Sequence, residues 1–324
     1  MSLMTPASHV ALTVAAGTVS PSASRSWLRP TIGPMKPMPS GTAIAWRAPI
    51  APDLADLAAQ GRLQFTEVVA ENVDPDRPPA ALMTLAEHVT VIPHGVSLGL
   101  ADASTPDPAR LQRLSSLAML FDAPLVSEHL AFVRAAGTPD SLHGDVLEAG
   151  HLMPPPRTRR MLDVVVENIE IAQAQLLVPL AIENIAALLS WPEDEFDEPD
   201  FLGEIVRRTG VRVVLDVANL HASAISRGTD AHADLLRFPL DAVAYVHVAG
   251  GTERDGLYID THAHPVPDAV SELLSAFVAH RISCGAPVPG IMLERDADVR
   301  AEAVLHDLDR IDRAVARGVA RVGS

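Results

Sequence analysis

VRVVLDVAN, residues 211–219, is a short apolar run that closes on Asp216 and Asn219. Its length and its β-branched residues read as a strand covered on both faces. The same design recurs in VTVIPHG (89–95), PLVSEHL (124–130), PLAIENI (179–185), AYVHVAG (244–250) and PGIMLERD (289–296), each closing on His, Glu, Asp or Asn. A further segment, LYIDTHAHP (257–265), adds Asp260, His262 and His264.

Outward from these runs, strands are expected at 42–46, 64–70, 89–94, 123–129, 179–184, 211–217, 242–248 and 289–294. Helices are expected at 52–60, after the Pro78-Pro79 pair, at 108–121, 158–175 and 199–208, near 232–237, and at 267–280 and 301–317. Gly318 is placed to end the last one. A long loop with Pro154-Pro155-Pro156 separates the fourth strand from its helix. Such an α/β alternation reads as a (β/α)8 TIM barrel. An open doubly wound sheet also alternates, but it concentrates ligands at one switch point. Here polar residues end most strands, and a barrel gathers every strand end around one mouth. Residues 1–40, rich in Ser, Pro, Thr, Ala and Met, read as a disordered leader, with Met35 and Met38 as candidate starts. Residues 41–324 read as a single metal-binding catalytic barrel.

The 324 residues are 48% apolar, ample for a large core. The formal charge of −16 argues against non-specific nucleic-acid binding, which needs Lys and Arg on phosphates. Part of that acidity fits an internal cation site. The single cysteine, Cys284, excludes an intramolecular disulfide and suits a reducing, cytoplasmic setting. No run of 18 apolar residues occurs, so no membrane span is expected. HVALTVAAG (9–17) has no basic residues ahead of it and makes a weak signal peptide.

If the barrel forms, His94, His129, Glu183, Asp216, His247 and Glu294 end their strands at one face, with Asn219, Asp260 and His262 close behind. So many imidazoles and carboxylates cannot share one cavity unneutralised, because buried carboxylates take up protons or destabilise the fold. Two or three cations solve this, and imidazole with carboxylate but no thiolate suits Fe, Mn or Zn. Asp260 and His262 form a compact pair able to serve neighbouring ions. Glu128 is either a ligand or a partner of His129; alternation allows only one of the two to enter the site, and His129 lies nearer the strand end. Asp260, His262 and Glu128 are the candidate catalytic groups. Asn184 reads as support for Glu183, and His221 and His264 stay open as ligands. Glu67, Glu71 and Asn72 would anchor the mouth or meet substrate, Arg295 and Asp296 would pair or orient ligands, and EDEFDEPD (193–200) reads as a solvated loop. His9, His88, His143, His151, His232, His280 and His306 read as surface or local polar groups.

TEVVAEN (66–72), PHGVSLGL (93–100), LVSEHLAF (125–132), HLMPPPRT (151–158), LAIEN (180–184), LDVANLHASAISRG (215–228), VHVAGGTERDGLYIDTHAHPV (246–266) and LERD (293–296) together resemble the DUF692 (UPF0276) family. This is a family of multinuclear non-haem iron-dependent oxidative enzymes that includes the methanobactin-biosynthesis oxidase. The resemblance covers about residues 41–315. It implies a TIM barrel, related to those of endonuclease IV and xylose isomerase, holding two or three Fe2+/Fe3+ ions. O2 is the co-substrate, and residues, often cysteines, of a ribosomally made precursor peptide are oxidised. Carried over by motif, the ligands are His94, His129, Glu183, Asp216, Asn219, His247, Asp260, His262 and Glu294. A separate partner that presents the leader peptide is implied, without nucleic acid or membrane. One departure is Val69, where many members have a histidine. Two other readings stand beside this one: a divalent-metal hydrolase or isomerase, and a non-catalytic metal-dependent peptide-binding barrel. Asn219, where endonuclease IV would carry a His ligand, and the acidic charge weigh against a nuclease.

Overall fold

In or beside six strands, an apolar residue of the inner core stands two positions before a polar one. Ile92 precedes His94, Leu125 precedes Ser127, Ala181 precedes Glu183, Val214 precedes Asp216, Tyr245 precedes His247 and Met292 precedes Glu294. The period of two puts both members on the same side of the strand. The apolar members, with Ala43, Ala45 and Phe65, form one inner core cluster. Small alanines opposite Phe65 and Tyr245 let large side chains fill the tapered interior.

The computed structural model describes residues 36–136, 146–254 and 257–323. Its strands are β1 (Thr42–Ile44), β2 (Phe65–Val69), β3 (Thr90–Gly95), β4 (Val126–His129), β5 (Phe132–Ala136), β6 (Val146–Met153), β7 (Leu180–Glu183), β8 (Arg212–Asp216), β9 (Val243–Val248), β10 (Thr252–Arg254), β11 (Leu257–Ile259) and β12 (Gly290–Leu293). Eight of them close a parallel barrel in the order β1-β12-β9-β8-β7-β4-β3-β2. The expected TIM barrel is thus the observed fold. The helices are α1 (Ala51–Ala59), α2 (Ala80–Ala86), α3 (Pro108–Leu120), α4 (Arg159–Gln175), α5 (Glu198–Thr209), α6 (Val217–Arg227), α7 (Ala231–Arg237), α8 (Asp268–Ser283) and α9 (Ala301–Val322). Side-chain caps start several of them: Asp107 accepts from Ala109 N, Thr158 from Met161 N and Asp197 from Asp200 N. No described helix is long and apolar enough to cross a membrane.

Five features differ from the sequence reading. The loop expected before Pro154 is an antiparallel hairpin, β5–β6, and the Gly250-Gly251 loop carries a second one, β10–β11. Helix α6 was not expected. It begins directly off β8, with Asp216 Oδ1 accepting from Asn219 N at 2.7 Å, so no turn residues announce it. Helix α9 runs through Gly318 instead of stopping there. Finally, residues 36–40 of the expected leader seat against the barrel base: Met38 packs on the inner cluster and Pro39 O accepts from Gly290 N at 2.8 Å. Residues 1–35, which hold the rest of that leader, lie outside the described residues.

Hairpin β5–β6 is pinned over the mouth by Asp102. Its buried carboxylate accepts from Val133 N at 2.8 Å, Arg134 N at 3.0 Å and Arg134 Nε at 2.9 Å. Charge-assisted bonds of this kind are the stronger ones, and leaving the groups unpaired in the interior would be costly.

The last helix shows why a glycine persists in a helix interior. Val304, Leu308, Ile311, Ala314 and Gly318 form its buried stripe. A Cβ on Gly318 would stand 2.7 Å from both Ser275 O and Val278 Cβ in α8. Gly318→Ala is therefore expected to lose about 1–3 kcal/mol of stability through overpacking, against a helix-propensity gain of about 1 kcal/mol. Urea unfolding followed by circular dichroism reads the balance, and a stabilised variant would show that α8 and α9 separate freely.

Candidate metal centre

Six polar residues meet at the C-terminal end of the barrel: His94 on β3, His129 on β4, Glu183 on β7, Asp216 on β8, His247 on β9 and Glu294 just beyond β12. They form two overlapping groups that share Glu183. Ligand atoms of His94, His129 and Glu183 lie within 4.8 Å of one another, as do those of Glu183, Asp216, His247 and Glu294. Glu183 Oε2 is 3.6 Å from Nε2 of both His94 and His129, and Glu183 Oε1 is 3.3 Å from His247 Nδ1. Glu294 Oε2 stands 3.4 Å from His247 Nδ1 and 3.4 Å from His262 Nδ1, which extends the cluster to the loop after β11. There His262 Nε2 lies 2.6 Å from Asp260 Oδ2.

That loop is held under strain. His262 has φ of 50°, in the left-handed region that non-glycine residues seldom occupy. Asp296 N donates to His262 O at 2.8 Å, tying the loop to the end of β12. A Cβ on Gly250 would fall 2.0 Å from His264 O, so only glycine lets the returning chain pass so close.

Four buried atoms of this centre have no hydrogen-bond partner among the described residues: Glu183 Oε2, Asp216 Oδ2, His247 Nδ1 and Asp260 Oδ1. Each unpaired buried polar group costs about 1–3 kcal/mol. A cluster of them pointing to one region is what a cation would satisfy. Imidazole nitrogen with carboxylate oxygen and no thiolate is a donor set for Fe, Mn or Zn. The residues present therefore fit metal ions, and they offer more ligands than one ion takes.

The electrostatics agree. Burial pushes the His129 imidazole down, but Glu183 and Glu128 outweigh it and raise it to about 9. Burial likewise opposes charge on His247 and His262, yet Glu294 and Glu183 around the first, and Asp260 and Asp296 around the second, raise both well above the usual range. Asp216 is pushed well up by burial and then by the negative charges of Asp260 and Glu183. Without cations, protons hold this cluster together.

Other expected residues fall in different places. Glu128 is turned out of the ring. Its carboxylate accepts from Leu98 N at 2.9 Å and from His129 N at 2.8 Å, and its Oε1 lies 3.8 Å from His129 Nδ1, the position of a partner behind His129. Asn219 lines the mouth, with Nδ2 given to Asn184 O at 3.0 Å and its Oδ1 the atom left for an ion. Asn184 clamps β7 to β8, accepting from Asp216 N and donating to Asp216 O, each at 2.9 Å. Glu71 accepts from Val96 N and from the Ser97 hydroxyl at the mouth. His221 meets Tyr258 edge-on with ring centres 4.9 Å apart and burial lowers its pKa, while exposed His264 bonds Thr261 through Nδ1. Arg295 pairs with Asp307 in α9 rather than with Asp296, which meets Arg47 and His262. The acidic run is not simply solvated: Asp194 pairs with Arg157, and buried Glu198 with Arg227. Val69 lies opposite His94 in the ladder and brings no donor.

Two groups escaped the sequence reading. Tyr245 and Ser127 lie below the ring with Glu67, and each stands two residues before a ring histidine, the one signal that marks them. His151, exposed as the sequence reading has it, also lines a cavity of about 670 Å³ beside the ring. That cavity has His129, Asn219, Asp260 and His262 in its wall, with Val133, Glu148 and Leu152 from hairpin β5–β6.

The raised His129 sets a pH dependence. In the metal-free chain it contributes stability that is fully present below about pH 6.5 and is lost as pH rises through about 9. Metal requires the neutral imidazole and so competes with the proton. The Tm of chelator-treated protein should fall over this window, while the stabilisation by added divalent metal should grow. A metal-free Tm that climbs over the same range would contradict the assignment.

The barrel, matched against known proteins, has close relatives. Residues 41–316 match the family model described as RiPP precursor modification enzyme MbnB/TglH/ChrH. A UPF0276 protein of Streptomyces avermitilis is 51% identical over 258 residues, which cover 79% of this chain and 51% of that one. The chain thus spans about half the length of this relative. A UPF0276 protein of Chromobacterium violaceum is 37% identical over 234 residues, covering 72% of this chain and 81% of its own. Among solved structures, L-ribulose 3-epimerase superposes with a TM-score of 0.54 at 13% identity, over 89% of this chain and 97% of the other. A xylose isomerase domain protein from Alicyclobacillus acidocaldarius gives 0.51 at 14%, over 86% and 99%. At such identities the likeness is one of fold, the xylose-isomerase-like TIM barrel. The sequence match, covering nearly all of the barrel and its polar ring, shows that this chain belongs to the DUF692 (UPF0276) family of MbnB/TglH/ChrH-type RiPP precursor modification enzymes.

Proposed function

We propose that this barrel is an iron-dependent oxidase that uses O2 to modify a residue, a cysteine in the simplest case, of a ribosomally made precursor peptide. The observation that carries the reading is the set of four unpartnered buried ligand-type atoms, on Glu183, Asp216, His247 and Asp260, beside a cavity of about 670 Å³ whose wall holds His129, Asn219, Asp260 and His262. Family membership supports the peptide substrate and the choice of iron among the metals that the donor set accepts. The proposed ligands are His94, His129, Glu183, Asp216, Asn219, His247, Asp260, His262 and Glu294, enough to hold two or three ions; the two groups of close ligand atoms share Glu183, and Glu294 Oε2 lies 3.4 Å from His262 Nδ1. Iron there supplies the redox couple through which a substrate residue gives up electrons and O2 takes them.

The protein's own work is positioning and proton handling. Hairpin β5–β6, fixed by Asp102, lends Val133, Glu148 and Leu152 to the cavity wall beside the ring, where they can position a substrate. Val96, Ile185 and Leu188 offer apolar contacts for an extended peptide segment. Asp260 Oδ2, 2.6 Å from His262 Nε2, is placed to hold or receive the proton at that nitrogen. Asp260 and His262 are the catalytic candidates in the cavity wall, and Glu128 acts on the chemistry through His129. A separate protein that presents the leader peptide, and a cytoplasmic setting, complete the proposal.

Metal analysis with an oxygen electrode tests it. The purified chain should hold two to three irons and consume O2 when given its cysteine-bearing peptide. His262→Ala should retain less iron and lose at least about 100-fold in peptide-dependent O2 uptake, because even partners behind a ligand cost 10–100-fold. Zinc or manganese with sugar isomerase or phosphodiesterase activity would replace this reading with a Lewis-acid one. Metal-replete protein that binds the peptide but consumes no O2 would leave a binding barrel.

A further inference from the structure

Glu67 is buried inside the barrel, close to the ring and outside both ligand groups. His247 Nε2 lies 3.2 Å from its Oε2, and the Tyr245 hydroxyl donates to the same oxygen in a short bond. Tyr245 also meets Ser127 Oγ at 2.7 Å, and Ser127 Oγ meets His94 Nδ1 at 2.9 Å. All five side chains are buried. Each hydroxyl has one proton to give, and a carboxylate only accepts. The order that satisfies every member runs from His94 Nδ1–H to Ser127, from Ser127 to Tyr245 and from Tyr245 to Glu67, with His247 Nε2–H reaching Glu67 from the other side. Both histidines are thereby fixed in opposite senses. His94 presents Nε2 to Glu183, and His247 presents Nδ1.

We infer that Glu67, Tyr245 and Ser127 form a positioning unit. It sets which nitrogen each of these imidazoles offers to the metal centre and holds both rings before metal arrives. None of the three is a proposed ligand. The inference rests on the reading that the ring holds metal. It adds that affinity and ligand field are set from below, by a carboxylate that spends its charge on two histidines at once.

Metal titration of the full chain, with no peptide present, tests it. Co2+ serves as a visible-absorbing probe beside Fe2+. Glu67→Gln puts a donor amide where two donors converge, and should weaken the binding of metal about 10- to 100-fold and shift the Co2+ absorption bands. Tyr245→Phe keeps the ring that packs edge-on against Phe65 at 5.9 Å, so it should fold. It should move both readouts in the same direction by a smaller, several-fold amount. A merely structural role would lower Tm and leave the Co2+ bands in place. Unchanged affinity and bands in Tyr245→Phe, with a wild-type chain that binds metal, would overturn the positioning role alone. A wild-type chain that takes up neither ion would overturn the metal reading and this role together. If Glu67→Gln fails to fold, Tyr245→Phe decides.

Discussion

The rest of the structure depends on how charge is neutralised around Glu183. Its carboxylate is buried, with three imidazoles within 3.6 Å and Asp216 and Glu294 in the same cluster. Burying like charges so close together is unaffordable without protons or cations. The barrel is the framework that imposes this crowding, because its parallel strands all point their C-terminal ends at one place. What surrounds the ring exists to hold it. Asn184 locks β7 to β8, Asp216 starts α6, and Glu67 takes bonds from below. The Asp260–His262 loop is held from the side at the cost of a left-handed histidine.

The same logic explains the division of the interior. Toward the barrel base, alanines face Phe65, Tyr245 and Met292 and make an apolar plug that Met38 completes. One step up each strand the lining turns polar, with Glu67, Ser127 and the ring. The apolar plug keeps water from the underside of the centre, which strengthens every electrostatic interaction above it. The open side is the cavity under hairpin β5–β6, and the side chains free to meet a substrate are found there.

Much of this was legible in the sequence because the pattern is local. Apolar runs that each end on a ligand-type residue identify both the strands and the face on which the ring lies, and His94, His129, Glu183, Asp216, His247 and Glu294 come from that rule alone. The failures have local causes too. Helix α6 follows β8 without turn residues, and its Asn219 and His221 look like site residues rather than helix formers. Gly318 resembles a stop, but it marks the close approach of α8. Hairpin β5–β6 has an irregular register between Phe132 and Arg134, so its alternation is broken where a strand would announce itself.

By itself, then, the sequence determined the barrel, the ring of strand-end ligand types and the family, since each depends on residue type and spacing along the chain. Only the tertiary structure decided that Glu128 faces outward to Leu98 N, that Arg295 belongs to Asp307, and that His151 lines the cavity. It alone brought Glu67 to Tyr245, 178 residues away. These are choices between neighbours on opposite faces of a strand, or between partners far apart in sequence. They are settled by which backbone donors and buried charges happen to lie across the fold, and no short stretch of sequence carries that information.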